Sequence, residues 1–385
     1  MLASRRNARG ASDPLRLTCA CDNKGVVVLF YKYVQIDSPA SVVARIVEFG
    51  ESIAKGAVTG KIRVAREGIN ATAAADDEKT MSSFTSFIES IDELKLRERG
   101  GGVDYKPEPG CRHAFPTLSA RVVEELCPFG ERELSTSETC GGDVQSVSPR
   151  AWHEALMTRR EEEMSVIDAR NFYESRVGAF GGSVLAPIRR FSQLKEWLER
   201  DGVVDAHVAG KDVYIYCTGG VRCEKVATYL ATRLDEKSKP KSVRKLAGGV
   251  VAYAKEFGRA KESLFKGSNF VFDARGSVPV GPENELPETS WCDGCRAPSG
   301  RLSKCVGVRC HVVLIACDAC GDTVYCCEGC REQTVKSRGV EKFKRRPCEC
   351  DCFESRERRC AAPSVDVGAS LGASLGGARK RSADA

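Results

Sequence analysis

Residues 217 to 225 read CTGGVRCEK, which places a cysteine, a hydroxyl residue, two glycines and an arginine ahead of a second cysteine. A strand-like run, DVYIY, precedes this stretch and a helix-like run, VATYL, follows it. A thiol at the end of a buried parallel strand faces converging backbone N–H groups and the positive end of the next helix, an environment that favours thiolate over thiol. Thr218, Gly219, Gly220, Val221 and Arg222 would form the anion cradle: the glycines permit the tight curvature and positive φ, and Arg222 adds fixed positive charge. Cys217 is therefore expected to be an exposed, reactive nucleophile, in a cradle that would also stabilise an anionic persulfide or sulfenate. Cys223 would either resolve an oxidised Cys217 as a disulfide or pack inward at the helix start.

A second chemistry is written in the spacing of the later cysteines. Thirteen of the twenty lie after residue 290. They pair as Cys292-x2-Cys295, Cys305-x4-Cys310, Cys317-x2-Cys320 and Cys327-x2-Cys330, with Cys326 as an alternative to Cys327 and His311 as a weaker alternative to Cys310. Two-residue spacing lets both sulfurs of a pair meet one ion, and four thiolates hold Zn²⁺ tetrahedrally, so these eight ligands suit two zinc ions. Complete sulfur sets leave no open position for water, which makes the ions structural. Cys348, Cys350, Cys352 and Cys360 have no such register and are assigned nothing.

These residues must be positioned by folded domains. The chain has 385 residues, 42% of them apolar and 7% aromatic, ordinary for two or three globular domains. The formal charge of +6 is small for this length, so a nucleic-acid role would rest on local basic patches. No segment approaches the ~18 continuous apolar residues of a membrane span. The cysteine distribution and the absence of a signal-peptide core argue for a reducing, intracellular setting, cytoplasmic or organellar. Residues 1–24 read as a disordered leader or a plastid or mitochondrial transit peptide.

Residues 25–110 alternate in the order βαββαβ, that of a ferredoxin-like, acylphosphatase-like α+β domain. Arg63, Arg66 and Asn70 flank its central turn, where they either bind a phosphate or keep the sheet surface soluble. A connecting segment (111–147) leads to an αβ-alternating region (148–265) with a parallel sheet, then to the Cys-rich zinc module with a basic extension (266–352). A Gly/Ala/Ser-biased disordered tail (353–385) follows. The extension REQTVKSRGVEKFKRR carries seven Lys/Arg against two Glu; it either neutralises phosphates or is a solvated face.

VIDARNFYESRVGAF (166–180), CTGGVRCEK and LAGGVVAY (246–253) resemble the rhodanese family. The resemblance implies that Cys217 is the catalytic cysteine and that Asp168 and Arg170 support its loop. VLFYKYVQIDSP, GKIRVAREGINAT, SPRAWHEAL and FKGSNFVFDAR extend the likeness to the rhodanese-domain tRNA uridine hydroxylases of bacteria and their eukaryotic relatives. That likeness implies tRNA as partner, molecular oxygen as co-substrate and 5-hydroxylation of the wobble uridine. GAFGGSVLAPIRRF departs from the family pattern at Gly181 to Ser183 and at Arg189-Arg190, which bears on substrate fit. Sulfur transfer, with Cys217 passing a persulfide sulfur to an acceptor, is the alternative activity; the first domain and the Cys-rich module speak against it. No flavin or nicotinamide fingerprint is present, and four scattered histidines argue against a facial iron triad.

Overall fold

A computed structural model describes residues 21, 24–53, 55–96, 103–131, 134, 144–340 and 343–362. Most of the expected leader and most of the expected tail lie outside the described residues.

The first domain is built from β1 (Gly25–Tyr33), α1 (Pro39–Glu48), β2 (Val58–Ala65), β3 (Gly68–Ala75), α2 (Glu78–Glu89) and β4 (Lys106–Gly110). Alternation decides its layering. Val28, Phe30, Ile62, Val64, Ile69, Ala71 and Ala73 point to the helices and form one buried core with Val42, Ile46, Phe84 and Ile88. Ser38 caps α1 ahead of a proline, and Asp77 caps α2. The sheet order is β4-β1-β3-β2-β5, where β5 (Leu118–Val122) runs parallel to β2. The segment expected as a connector thus completes this sheet, and Pro107 and Pro109 lie in the edge strand β4, where a missing N–H is tolerated.

The second sheet is parallel, ordered β6-β11-β10-β7-β9. Its elements run β6 (Val144–Val147), α3 (Pro149–Met157), β7 (Met164–Asp168), α4 (Phe172–Val177), β8 (Gly178–Phe180), β9 (Val184–Leu185), α5 (Leu194–Leu198), α6 (Val203–His207), β10 (Asp212–Tyr216), α7 (Val221–Thr232), β11 (Ser242–Leu246) and α8 (Gly249–Phe257). β7 and nearly all of β10 are buried, as central strands of a parallel sheet covered on both faces are. The following β12 (Phe265–Phe270) pairs with β8 and with β13 (Ser277–Pro279), so the strand placed by sequence at the head of the Cys-rich module belongs structurally to the second domain.

Beyond it, a small hairpin of β14 (Leu302–Lys304) and β15 (Val313–Ile315), with α9 (Glu328–Lys336), carries the cysteines. The module docks on α4: Arg176, fully buried, donates to both carboxylate oxygens of Asp293 at 3.1 and 2.9 Å and to the carbonyls of Thr289 and Trp291. Residues Phe353–Cys360, expected in the disordered tail, form helix α10, with Arg356 buried and bonded to the Pro187 carbonyl at 2.5 Å.

Candidate functional site

Cys217 stands at the carboxyl end of β10, and α7 begins four residues later. Gly220 caps that helix with φ +98°, in the left-handed region that favours glycine. The turn before α8 shapes the loop from the outside. The amides of Val250 and Val251 donate to the carbonyls of Cys217 and Thr218 at 2.9 and 3.0 Å. With those carbonyls turned outward, the loop amides turn toward the sulfur, and the Gly220 N–H reaches Sγ at 3.2 Å. Gly249 makes this packing possible, since a Cβ there would lie 2.5 Å from the Cys217 carbonyl oxygen.

Burial alone would push the Cys217 thiol up. A hydrogen bond from the Cys223 thiol, the Arg222 charge and the amides of Cys223 and Arg222 outweigh it and bring the pKa down to about 6. Burial and the Cys217 charge push Cys223 the other way, so Cys223 keeps its proton and donates it. Cys223 packs inward at the start of α7, the second of the two sequence alternatives, and from there its thiol also stabilises the Cys217 thiolate. Arg222 lies near the sulfur as a fixed positive charge, as expected, with a partner that the sequence reading did not name. Its guanidinium is held by Glu174, whose two oxygens accept from Nη1 and Nη2 at 2.8 Å each. Glu174 further accepts from the Thr218 hydroxyl at 3.3 Å and from the Asn171 N–H, closing the capping box of α4.

The expected loop supports sit one layer below. Arg170 clasps Asp168 through Nε and Nη2 (2.9 and 2.6 Å), and Nη2 also reaches the Gly178 carbonyl; both residues are fully buried. The pair braces β7 against β8, while Glu174 holds the loop itself. Glu174 has no assigned role in the sequence reading, although an acid three residues past Asn171 is the spacing of a capping box.

Cys217 is 0% exposed, which corrects the expectation of an exposed thiol. The first domain covers it. Leu29 on β1 lies over Gly219, so close that a Cβ there would meet its Cδ2 at 2.2 Å. Tyr31 donates to Glu224 at 3.0 Å, and Tyr33 to the Val221 carbonyl at 3.1 Å. Lys225, buried in α7, meets Glu67 of the β2–β3 turn at 2.5 Å. Cross-strand register puts Leu29, Tyr31, Asn70, Thr72, Lys61, Arg63 and Arg121 on this same sheet face. Of the three expected anion residues, Arg63 and Asn70 oppose each other there, and Arg66 is exposed in the turn. Burial, and then the neighbouring cations, lower the pKa of Lys61 and Arg63, and Nη1 of Arg63 is buried without a hydrogen-bond partner. On the other side of the loop, Phe272 is 54% exposed with its ring 5.7 Å from the Arg222 guanidinium carbon.

Family models match three stretches of the chain: an acylphosphatase-like domain of the UPF0176 type over residues 25–126, a rhodanese-like domain over 150–256 and a rhodanese C-terminal region over 266–334. A protein of Staphylococcus carnosus named tRNA uridine(34) hydroxylase is 32% identical over 82% of this chain and 92% of its own length. The chain belongs to the tRNA uridine(34) hydroxylase family. The so-named protein of Bacillus cytotoxicus is 33% identical over 68% of this chain and 73% of its own, and that of Arthrobacter sp. 28% over 79% and 98%. Among solved structures, a Saccharomyces cerevisiae homologue of single-domain rhodanese aligns over 31% of this chain at 19% identity, with a TM-score of 0.25.

In this member of the hydroxylase family the Cys-rich module brings two sets of four sulfurs together. Cys292, Cys295, Cys317 and Cys320 converge within 4.8 Å of one another, and so do Cys305, Cys310, Cys326 and Cys330. Cys326 therefore takes the place expected for Cys327, because its thiol points to Cys310 and Cys330 at 3.6 and 3.2 Å. The donor sets fit a thiophilic ion. Amides of Gly294 and Cys317 donate to Cys292 Sγ, and those of Gly307 and Cys326 to Cys305 Sγ, at 3.2–3.3 Å, as amides around metal-bound thiolates do. Gly294 and Gly307 admit this approach: an added Cβ would lie 2.9 Å from Cys320 Sγ and 3.1 Å from Cys305 Sγ. His311 belongs to neither set. Arg189, one of the departures from the family pattern, pairs with Asp351 at 2.8 Å and so anchors the C-terminal segment. A mixed set that sequence did not suggest, Cys21, Asp76, Cys111 and His113, gathers at the edge of the first domain. Among the described residues no helix is long and apolar enough to cross a membrane.

Proposed function

We propose that this chain hydroxylates C5 of the wobble uridine of tRNA at the expense of molecular oxygen, with Cys217 as the reacting group. The carrying observation is a sulfur held ionised near neutrality beneath a cationic sheet face, in a chain whose relatives are named for tRNA uridine 34. A thiolate is suited to add at C6 of a uracil ring, which makes C5 an electron-rich enolate carbon. One oxygen atom of O2 then bonds to C5. The other leaves as water, with two electrons and two protons from an external thiol reductant. Loss of the C5 proton expels the thiolate and restores the ring as 5-hydroxyuracil.

In this reading the loop amides and Arg222 hold the sulfur anionic before attack and receive its charge again on expulsion. Lys61, Arg63 and Arg121 lie two to three strand spacings from Tyr31, ~10–14 Å, a span suited to the phosphates flanking a base at the loop. Phe272 offers a flat apolar face to an extruded pyrimidine. Because Leu29 and Tyr31 cover the loop, entry of the base requires the first domain to shift. The two four-cysteine sets are read as structural zinc sites that order the C-terminal module.

The test is nucleoside mass spectrometry of tRNA from cells lacking the protein, complemented with the wild type or with Cys217→Ser. Restoration of 5-hydroxyuridine and its derivatives by the wild type alone, with ¹⁸O incorporated from ¹⁸O2, is expected. Unchanged 5-hydroxyuridine in the deleted strain, together with rapid thiosulfate-to-cyanide transfer by the purified protein, would replace this reading with sulfur transfer.

A further inference from the structure

Cys348 and Cys350 lie beyond the stretch matched by the C-terminal family model, and their spacing alone pointed to nothing. In the fold they close on the second sulfur set. Cys348 Sγ stands 3.4 Å from Cys327 Sγ, 3.4 Å from Cys330 Sγ and 3.3 Å from Cys350 Sγ. Cys327, Cys330 and Cys350 lie within 4.8 Å of one another and of Cys326, and Cys348 Sγ is within 3.4 Å of the first three, so Cys327, Cys330, Cys348 and Cys350 form a set of four beside Cys326. Zinc–thiolate bonds of ~2.3 Å place tetrahedral sulfurs ~3.8 Å apart, a few tenths of an ångström beyond the 3.3–3.4 Å separations of Cys348. The separations are too long for a disulfide, whose sulfurs lie ~2.05 Å apart.

We infer that Cys327, Cys330, Cys348 and Cys350 bind a further thiophilic d¹⁰ cation of the Zn²⁺ class, forming with Cys305, Cys310 and Cys326 a two-ion thiolate cluster bridged by Cys330. Two tetrahedral ions have eight coordination positions, and the seven sulfurs fill them when one is shared. Cys330 is placed for this, touching Cys326 of one set at 3.2 Å and Cys348 of the other at 3.4 Å.

Two independent features support this assignment. Seven thiolates exceed the charge of two divalent ions, and the Arg345 guanidinium lies against the excess, at 2.8 Å from Cys348 Sγ, 3.1 Å from Cys350 Sγ and 3.6 Å from Cys330 Sγ. The chain also makes room for the approach. A Cβ on Gly329 would lie 2.9 Å from Cys348 Cβ, so this glycine lets the 348–350 turn reach α9. Asp351 then fixes the turn, accepting from the Cys348 N–H at 3.0 Å and pairing with Arg189 and Arg345.

Native mass spectrometry of the full chain, purified with zinc and without chelator, is expected to count about three ions per chain, and about two after the paired Cys348→Ser, Cys350→Ser change. Circular dichroism of that variant should retain the wild-type spectrum. If the variant fails to fold, ¹¹³Cd NMR of the cadmium-loaded wild type decides, since two of its resonances should show ¹¹³Cd–¹¹³Cd coupling through the shared sulfur. About two ions in the wild type, three retained by the folded variant, or no such coupling would each overturn the cluster. Two ions would leave the two-site reading of the module standing, whereas none would remove both.

Discussion

The carboxylate of Glu174 meets the guanidinium of Arg222 through two parallel contacts of 2.8 Å, and both groups are buried beside the sulfur of Cys217. Glu174 starts α4 and Arg222 starts α7, so this pair fixes one helix start against the other and sets the depth of the loop between them. Removing the acid leaves a buried charge uncompensated, which typically costs about 3–5 kcal/mol. Glu174→Gln should lower the unfolding free energy by that order in urea denaturation. A change within experimental error would show that the loop is held by other means.

The depressed pKa of Cys217 ties stability to pH. The folded value of about 6 lies below the ordinary 9.0, so the contribution is complete above pH 9 and is lost as pH falls through about 6. Three units at ~1.4 kcal/mol each give at most about 4 kcal/mol. Comparison of the wild type with Cys217→Ser should therefore show a stability difference that widens between pH 6 and 9. A difference independent of pH would mean that the thiol is not ionised in the fold.

Access to the sulfur is governed by Leu29. Because its side chain lies over Gly219, Leu29→Ala should speed alkylation of Cys217 by iodoacetamide several-fold at constant pH. The larger Gly219→Ala change should instead weaken the seating of the first domain, read as faster amide exchange in β1. Equal alkylation rates in wild type and Leu29→Ala would place the gate elsewhere.

The cationic face makes a prediction about salt. If Lys61, Arg63 and Arg121 neutralise tRNA phosphates, changing all three to Gln should weaken tRNA binding and reduce the slope of log affinity against log salt by roughly 2 to 3. An unchanged slope would assign that face to solubility alone.

Phe272 separates base recognition from backbone contact. Loss of a stacking surface costs about 1–3 kcal/mol per base, so Phe272→Ala should lower kcat/KM for tRNA roughly tenfold while leaving the salt slope unchanged. Activity equal to the wild type would remove Phe272 from the site.

The sequence by itself determined the parts whose physics is local. Strand, turn and helix signals around Cys217 encode the amide cradle within a few residues, and the βαββαβ periodicity encodes the first domain. The x2 spacings encode the sulfur pairs for the same reason: a knuckle is closed by its own backbone. What tertiary structure decided are partnerships across long separations. Glu174 reaches Arg222, the first domain's sheet roofs the loop through Leu29 and Tyr31, and Cys326 rather than Cys327 joins Cys305 and Cys310. Side-chain direction at adjacent residues depends on how a helix start is oriented, and the approach of Cys348 to Cys330 depends on where Arg189 and α10 pin the following turn. Neither is written in spacing, because both are fixed by packing between segments that the chain brings together only on folding.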